Sequence, residues 1–334
     1  MRAWVIADGF GFDHLRTVDR TEPEPGPGQV VVGVRAVSLN YRDLLIVRGQ
    51  YNPRMPLPRV PCSDAAGEIV AVGPGVSRVA VGDQVCGIFM QRWLAGRLTD
   101  TAARSALGGD LDGVLAERVV LSEEGVVKYP ADLTAEDAAT LPCAALTAWN
   151  ALAEGGLRAG QTVLLQGTGG VSIFALQIAR MFGARVLITS GQDEKLARAI
   201  QMGAHAGMNY RTNPDWDKWA RAETGGQGVD HVVEVGGAGT LERSFKAVRT
   251  AGHVALIGVL SGTGTVNPMP VLMRHLTVRG IYVGSRAMFE DMNRAFETHQ
   301  TRPIVDAVYR FDDFPKALRH LESGSHFGKV VIRI

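Results

Sequence analysis

Apolar residues follow two patterns along this chain, and the change comes near residue 129. Up to about residue 128 they form short runs, each closed by glycine or proline. Ala3–Ile6, Gln29–Val37, Glu68–Val72, a strand entered through Val81–Val85, and Leu115–Leu121 predict β-strands. The stretch EPEPGPG at 22–28 and Gly73-Pro74-Gly75 enforce turns between them. Gln91–Asp112 is polar and glycine-bearing and reads as an exposed lobe with a helical turn. Short strands with frequent glycine turns predict a small barrel-like β domain.

From about Tyr129, strand-length and helix-length periods alternate. TAED at 134–137 is a capping signal for a helix over Thr134–Ala139, and Leu146–Glu154 is helical in pattern. Strands are predicted over Thr162–Gln166, Arg185–Ser190, Met208–Tyr210, His231–Val235, His253–Gly258 and Thr277–Gly284. Helices are predicted between them over 170–182, Asp193–Met202, Pro214–Thr224 and Thr240–Arg249. Six strands with intervening helices predict an α/β fold with a doubly wound parallel sheet. After a helix over Ala287–His299 come Val308-Tyr309, a helix over Phe314–Leu321 and a terminal strand Lys329–Ile334, expected to rejoin the first domain. The predicted division is 1–128 completed by about 300–334, with 129–299 as the second domain.

The most informative stretch is Thr162–Phe182. A buried strand runs into Gly167-Thr168-Gly169-Gly170, and Val171, Phe174, Ala175, Ile178 and Phe182 then recur at helical spacing. Strand, glycine turn and amphipathic helix form the first half of a dinucleotide-binding βαβ unit. Glycine lets backbone approach a pyrophosphate, and the helix start offers unpaired N–H groups and its positive end. The third fingerprint position, usually glycine, is Ser172.

Composition narrows the function classes. A net charge of +1 gives no reason to expect nucleic acid or an acidic membrane surface as partner. No apolar run approaches the roughly 18 residues of a membrane span, and MRAWVIADGF lacks the apolar core of a signal peptide. Cys62, Cys86 and Cys143 show no paired spacing, which fits a reducing cytoplasm and rules out a four-cysteine zinc site.

The chain resembles the medium-chain dehydrogenase/reductases, in particular their zinc-free quinone-oxidoreductase-like branch. The likeness runs over nearly the whole length. Its carriers include EPEPGPGQVVVGVRA at 22–36, NYRDLLIVRGQY at 40–51, AAGEIVAVGPGV at 65–76, LPCAALTAWNAL at 141–152, QGTGGVS at 166–172, VDHVVEVGG at 229–237 and SGSHFGKVVIRI at 323–334. The resemblance implies a GroES-like β-barrel domain and a six-stranded Rossmann domain, with nicotinamide in the cleft between them. The metal-dependent branch holds zinc with a cysteine, a histidine and a second cysteine. By resemblance those places are Asn40, Ser63 and Cys143, so no catalytic zinc is expected.

Strand 185–190 is expected to end beside the adenosine ribose, where NAD enzymes carry Asp or Glu. Here Ser190 stands, followed by Gly191-Gln192. A carboxylate would repel a 2′-phosphate by roughly 4 kcal/mol per charge at 4 Å and an effective dielectric near 20. Its absence permits NADPH, and resemblance to NADPH-dependent relatives places Ser190, Lys195 and Tyr210 at that phosphate, with Arg211 as added charge. Lys195 also has a plainer reading as a solvated helix charge, and Tyr210 one as a strand-end aromatic. The family pattern also brings Gly167, Thr168, Gly169, Gly170 and Val171 to the pyrophosphate, and Thr147, Gly236, Gly258, Gly328 and Lys329 to the rest of the dinucleotide. These glycines also suit ordinary turns.

Without a metal, a hydrogen-bond donor must stabilise the substrate oxygen that gains charge. Asn40, Tyr41 and Tyr51 are the expected catalytic residues. Tyr51 resembles the active-site tyrosine of enoyl reductases in this family, and reads equally as a loop aromatic. The first expectation is a zinc-independent, NADPH-dependent reductase of quinones or α,β-unsaturated carbonyls, acting as a homodimer through the sheet edge 277–284. An alcohol or aldehyde dehydrogenase is the alternative, and a nucleotide-binding sensor or structural protein with little turnover is a third. The lobe at 91–112 and the segment Ser261–Pro270 are expected to shape the substrate pocket.

Overall fold

The structure is a computed structural model that describes every residue except Val259, Ser261 and Thr263. Part of the segment expected to shape the pocket, Ser261 and Thr263, therefore lies outside the described residues. The chain divides into two compact units: Met1–Leu146 with Gly284–Ile334, and Thr147–Val283.

The first unit, here the β unit, is built on a seven-stranded sheet. Its strands run in the order Val305–Arg310, Lys329–Arg333, Gln29–Ser38, Asp64–Val72, Gln84–Gly87 and Val126–Lys128, and Arg118–Ser122 also pairs with Gln29–Ser38. All pairs are antiparallel except the first. A separate two-stranded sheet pairs Arg2–Ile6 with Leu15–Asp19. Valines and isoleucines of Gln29–Ser38, Asp64–Val72 and the last strand form the core with Phe314 and Leu318. In the register of the last strand Val331 faces Ser38 and Ile332 faces Val37. That pairing carries Lys329 to Leu39 and Asn40, 290 and 289 residues away in sequence.

The second unit holds a six-stranded, all-parallel sheet, as the alternation predicts. Its order is Ala206–Asn209, Arg185–Ser190, Thr162–Gln166, Val229–Glu234, Val248–Leu256 and Thr277–Gly280. The first strand in sequence therefore lies beside the fourth, and the winding reverses between them. Such a switch point is where open α/β sheets bind ligands, beyond the carboxyl ends of the strands.

The domain boundaries differ from those expected at 128 and 299. Residues 129–146 belong with the β unit because they pack on its sheet: Cys86 Sγ donates to Ala138 O, and Cys143 N donates to Asp64 Oδ2 at 3.0 Å. The helix Arg286–His299 also joins the β unit, where Asn293 Nδ2 donates to Lys128 O and Arg286 pairs with Glu124. The last parallel strand stops at Gly280 rather than 284, and Val283 leaves extended geometry altogether at φ 59°. Two helices go unpredicted among the described residues: Met269–Met273, and Tyr41–Val47, two turns long and begun by Asn40 with Asp43 as its capping acid. Among the described residues no helix is long and apolar enough to cross a membrane.

Candidate functional site

In the parallel-sheet unit the glycine turn has the geometry its sequence implies. Gly167 takes φ 72°, left-handed backbone that suits glycine, and Thr168 is buried behind it. Gly169 begins the helix Gly170–Met181 with no side chain capping it, so the first N–H groups, through Val171, are left for a ligand. Ser172 explains its departure from the fingerprint. It is buried, and its hydroxyl donates to Gln166 O at 2.6 Å, tying helix to strand.

A network that sequence reasoning missed lies under this turn. Glu234, at the end of the adjoining strand, is fully buried. Its Oε1 accepts from Gly236 N at 2.8 Å, Gly237 N at 2.9 Å and Thr240 Oγ1 at 2.5 Å. Its Oε2 accepts from Gln166 Nε2 at 2.7 Å and from Ser244 Oγ. Gln166 Oε1 accepts in turn from Val235 N and Gly236 N. The two turns flanking the switch point, 167–170 and 236–237, are thus joined through one carboxylate. The signal in the sequence was a glutamate two residues before Gly236-Gly237.

Ser190 is buried at the end of its strand, and Asn209 pairs beside it in register. This brings Tyr210 and Arg211 to Gly191: a Cβ there would lie 2.9 Å from both Tyr210 Oη and Arg211 Nε. Lys195 is half-buried on the helix Asp193–Gln201. The nearby acid Asp193 accepts from Asn209 Nδ2 at 2.7 Å. Thr147 is buried near the start of the helix Leu146–Leu152. Gly236 and Gly258 are positions of close approach: a Cβ would lie 2.2 Å from Thr240 Oγ1 and 2.0 Å from Val235 O respectively. An open helix start and a glycine cradle at the strand ends fit a nicotinamide dinucleotide.

The β unit gathers a second group of polar residues, all around the start of helix Tyr41–Val47. Asp43 Oδ2 accepts from Asn40 N at 2.7 Å. Asp64 accepts from Ser63 Oγ at 2.6 Å and from Cys143 N at 3.0 Å. Cys143 lies in a π-helical turn, Leu141–Ala145. Lys329, behind Gly328, sends its Nζ to Leu39 O and to Asn40 Oδ1, at 2.5 and 2.6 Å. Arg42 stacks on Phe89 at 4.2 Å and reaches the Tyr51 ring at 5.6 Å. Tyr41 and Tyr51 are exposed by about two-fifths, 39% and 42%. Lys329, expected among the cofactor residues, makes its hydrogen bonds within the β unit. Its ammonium is buried and committed to Leu39 and Asn40, because strand pairing draws it inward.

Burial sets the electrostatics of this group. It pushes the Asp43 carboxyl up to about 6, against the Arg42 charge and the Asn40 N–H. It raises Asp64 too, opposed by Lys329, Ser63 and Asn40. The Cys143 thiol is pushed up to about 12 by burial and by Asp64, and Cys62 is raised by burial. Burial lowers Lys329, while Asp64 and Asp43 support its charge.

A catalytic zinc does not fit these residues. Asn40 spends its carbonyl oxygen on Lys329, and Ser63 spends its proton on Asp64. An ammonium already stands at the first ligand place, where a second cation would be repelled. Among the described residues no group of three His, Cys, Asp or Glu is arranged to hold a metal.

Comparison with known proteins agrees with this architecture. Residues 26–131 match the family model described as alcohol dehydrogenase GroES-like domain, and 170–298 the model described as zinc-binding dehydrogenase. The second match includes none of Asn40, Ser63 or Cys143. A zinc-type alcohol dehydrogenase-like protein of Schizosaccharomyces pombe is 43% identical over 99% of each chain. An acryloyl-coenzyme A reductase of Metallosphaera sedula is 28% identical over 93% of this chain and 94% of its own. The structure of a candidate alcohol dehydrogenase of Sinorhizobium meliloti 1021 is 43% identical, with a TM-score of 0.93 over 100% of this chain and 98% of that one. A mycobacterial protein solved in complex with NADPH is 27% identical, with a TM-score of 0.84 over the whole of both chains.

Proposed function

We propose that this chain, which belongs to the medium-chain dehydrogenase/reductase superfamily, is a zinc-independent, NADPH-dependent reductase of quinones or α,β-unsaturated carbonyls. It is an NAD(P)H-dependent oxidoreductase with a GroES-like domain and a Rossmann-type sheet. The observation that carries the finer reading is the Asn40–Lys329 pair at the first metal place. Support for NADPH comes from Ser190, Tyr210 and Arg211 gathered at Gly191, with Lys195 on the next helix, and from the NADPH-bound relative.

Bound NADPH supplies a hydride. The glycine turn Gly167–Gly170 with Val171 would hold its pyrophosphate, Gly236 and Gly258 would let it cross the strand ends, and Thr147 would serve its nicotinamide half. When an enone gains hydride at its β-carbon, negative charge moves to the carbonyl oxygen. Asn40 Nδ2 and the hydroxyls of Tyr41 and Tyr51 are the donors for that oxygen. Tyr51 is the proton donor to carbon. Its ring lies 5.6 Å from the Arg42 guanidinium.

Names of relatives favour an alcohol dehydrogenase as the second reading. One experiment separates the two. Metal-stripped protein is titrated with NADPH and NADH by nicotinamide fluorescence, then assayed with enones, quinones and primary alcohols. Tight NADPH binding with enone or quinone turnover supports the first reading. NADH preference, or alcohol oxidation that requires added zinc, overturns it. The protein is also read as a cytoplasmic homodimer. Support comes from the edge strand Thr277–Gly280 beside Leu272 and Met273, each 73% exposed, and from three free thiols. A monomer mass in solution would remove the dimer.

A further inference from the structure

Two observations in the β unit meet at one carboxamide. The buried Lys329 ammonium donates to Asn40 Oδ1 at 2.6 Å and to Leu39 O at 2.5 Å. The other end of the same group, Asn40 Nδ2, is buried and has no hydrogen-bond partner. Asn40 itself is 9% exposed. An unpaired buried donor is costly, so its persistence calls for a reason. Asp64 is the neighbouring acceptor, and Asn40 helps keep it ionised. Its oxygens each accept one bond, from Ser63 Oγ and from Cys143 N, and Nδ2 makes no well-formed bond to either.

A carboxamide is nearly symmetric in shape and opposite in chemistry at its two ends. A half-turn about its last torsion exchanges donor for acceptor. An ammonium can only donate, so it admits Oδ1 and refuses Nδ2. It also polarises the amide, which strengthens the remaining N–H groups as donors.

We propose that Lys329 is a positioning residue that locks the Asn40 carboxamide with Nδ2 turned away from the ammonium as the oxyanion donor, so that the two side chains together take the place of a metal ion. The proposal rests on the reductase reading above. Lys329 touches no substrate; it acts through Asn40. No charge is transferred, and the proton that completes the reaction comes from elsewhere.

The test is a double-mutant cycle in the full chain, with NADPH and either 2-cyclohexenone or 1,4-benzoquinone. Lys329→Met and Asn40→Ala each lower kcat by about 100-fold, the usual loss for one oxyanion donor. The double variant is no slower than Asn40→Ala alone, because the lysine has nothing left to position. The NADPH Kd, read by fluorescence, stays within about twofold in all three. Lys329→Gln keeps an N–H towards Oδ1 and recovers most of the loss; it also serves should the methionine variant fail to fold. Additive losses, or a NADPH Kd that rises with the loss of Lys329, overturn the proposal. A second readout does not need turnover. In protein labelled with 15N in asparagine side chains, Asn40 gives one NH2 pair, identified by its loss in Asn40→Ala. In Lys329→Met that pair doubles or broadens as the amide turns, and in Lys329→Gln it stays single. An unchanged pair in the methionine variant overturns the proposal even if neither substrate is reduced by the parent protein, an outcome that would itself remove only the reductase reading.

Discussion

In the parallel-sheet unit the buried Glu234 forms no salt bridge among the described residues; its oxygens are filled by backbone N–H groups, two hydroxyls and an amide. In the β unit the buried Asp43 and Asp64 stand among Lys329 and Arg42, with a donor of Asn40 left over. The first arrangement is saturated: every lone pair has a fixed dipole, and the product is a rigid pair of turns. The second is unsaturated: charges of both signs hold each other in place and leave capacity unused. Saturation suits a frame that must hold a cofactor in one position. Residual capacity suits a place where charge is created during a reaction.

The sharpest way to break this contrast is Glu234→Gln. The shape is kept, but an NH2 group replaces one oxygen and must face donors. Each donor left unpaired costs about 1–3 kcal/mol, so a loss of about 3–5 kcal/mol is expected in urea unfolding. The NADPH Kd rises at least tenfold as the turns at Gly167 and Gly236 separate. A loss below about 1 kcal/mol with unchanged NADPH affinity would show that the carboxylate frames nothing.

The same contrast governs what could be read from the sequence. Strand, glycine turn and helix at 162–182 are contiguous, so local periodicity and glycine placement carry them, and alternation with right-handed crossovers gives a parallel sheet covered on both faces. Asn40 was singled out by its place at the former metal position. The partner of Lys329 was not, because only the pairing of residues 331 and 332 with 38 and 37 brings it there. Glu234 escaped for a similar reason: its partner Gln166 sits on the neighbouring parallel strand. The short helix Tyr41–Val47 has too few residues for a period to show. The boundary at 146 depends on 129–146 packing against Asp64–Val72, a tertiary fact with no change in composition to mark it.

Acid acts on the two units with opposite sign. Asp43 has its folded value raised from 3.8 to about 6 by burial. Below pH 4 the fold holds this proton as readily as the unfolded chain; as pH rises through 6 the folded state must surrender it, and about 3 kcal/mol of stability is lost. His231, paired in register with His253 at a ring separation of 5.5 Å, is lowered from 6.5 to about 4 by burial and by His253. Its contribution is present above pH 6.5 and lost, by about 3 kcal/mol, as pH falls towards 4. Between pH 4 and 6.5 the two trends nearly cancel in the whole protein. Single variants expose them. Asp43→Asn raises stability at pH 7 and leaves a fold that weakens steadily in acid. His231→Asn removes the acid weakness of the parallel-sheet unit. Thermal unfolding from pH 4.5 to 7.5 measures both, and parallel pH profiles in the two variants would contradict the assignment.

The smallest effect is expected at Ser190, and it separates frame from chemistry most cleanly. Ser190→Asp puts a carboxylate at the strand end where Tyr210 and Arg211 converge on Gly191. The ideal repulsion of a 2′-phosphate, roughly 4 kcal/mol at 4 Å, is reduced by solvent and by the Arg211 charge. A loss of about 10–100-fold in NADPH affinity remains, about 1.4–2.7 kcal/mol. NADH affinity holds or improves, since the new acid can accept from both ribose hydroxyls. At saturating NADH the kcat of this variant matches that of the parent protein with NADH, because Asn40 and Lys329 are untouched. Changes at Asn40 produce the reverse: kcat falls and cofactor affinity stays. If Ser190→Asp lowers kcat at saturation, recognition and reaction are not divided between the two regions. If it leaves NADPH affinity unchanged, the phosphate is held elsewhere, and Lys195 and Tyr210 lose their proposed role with it.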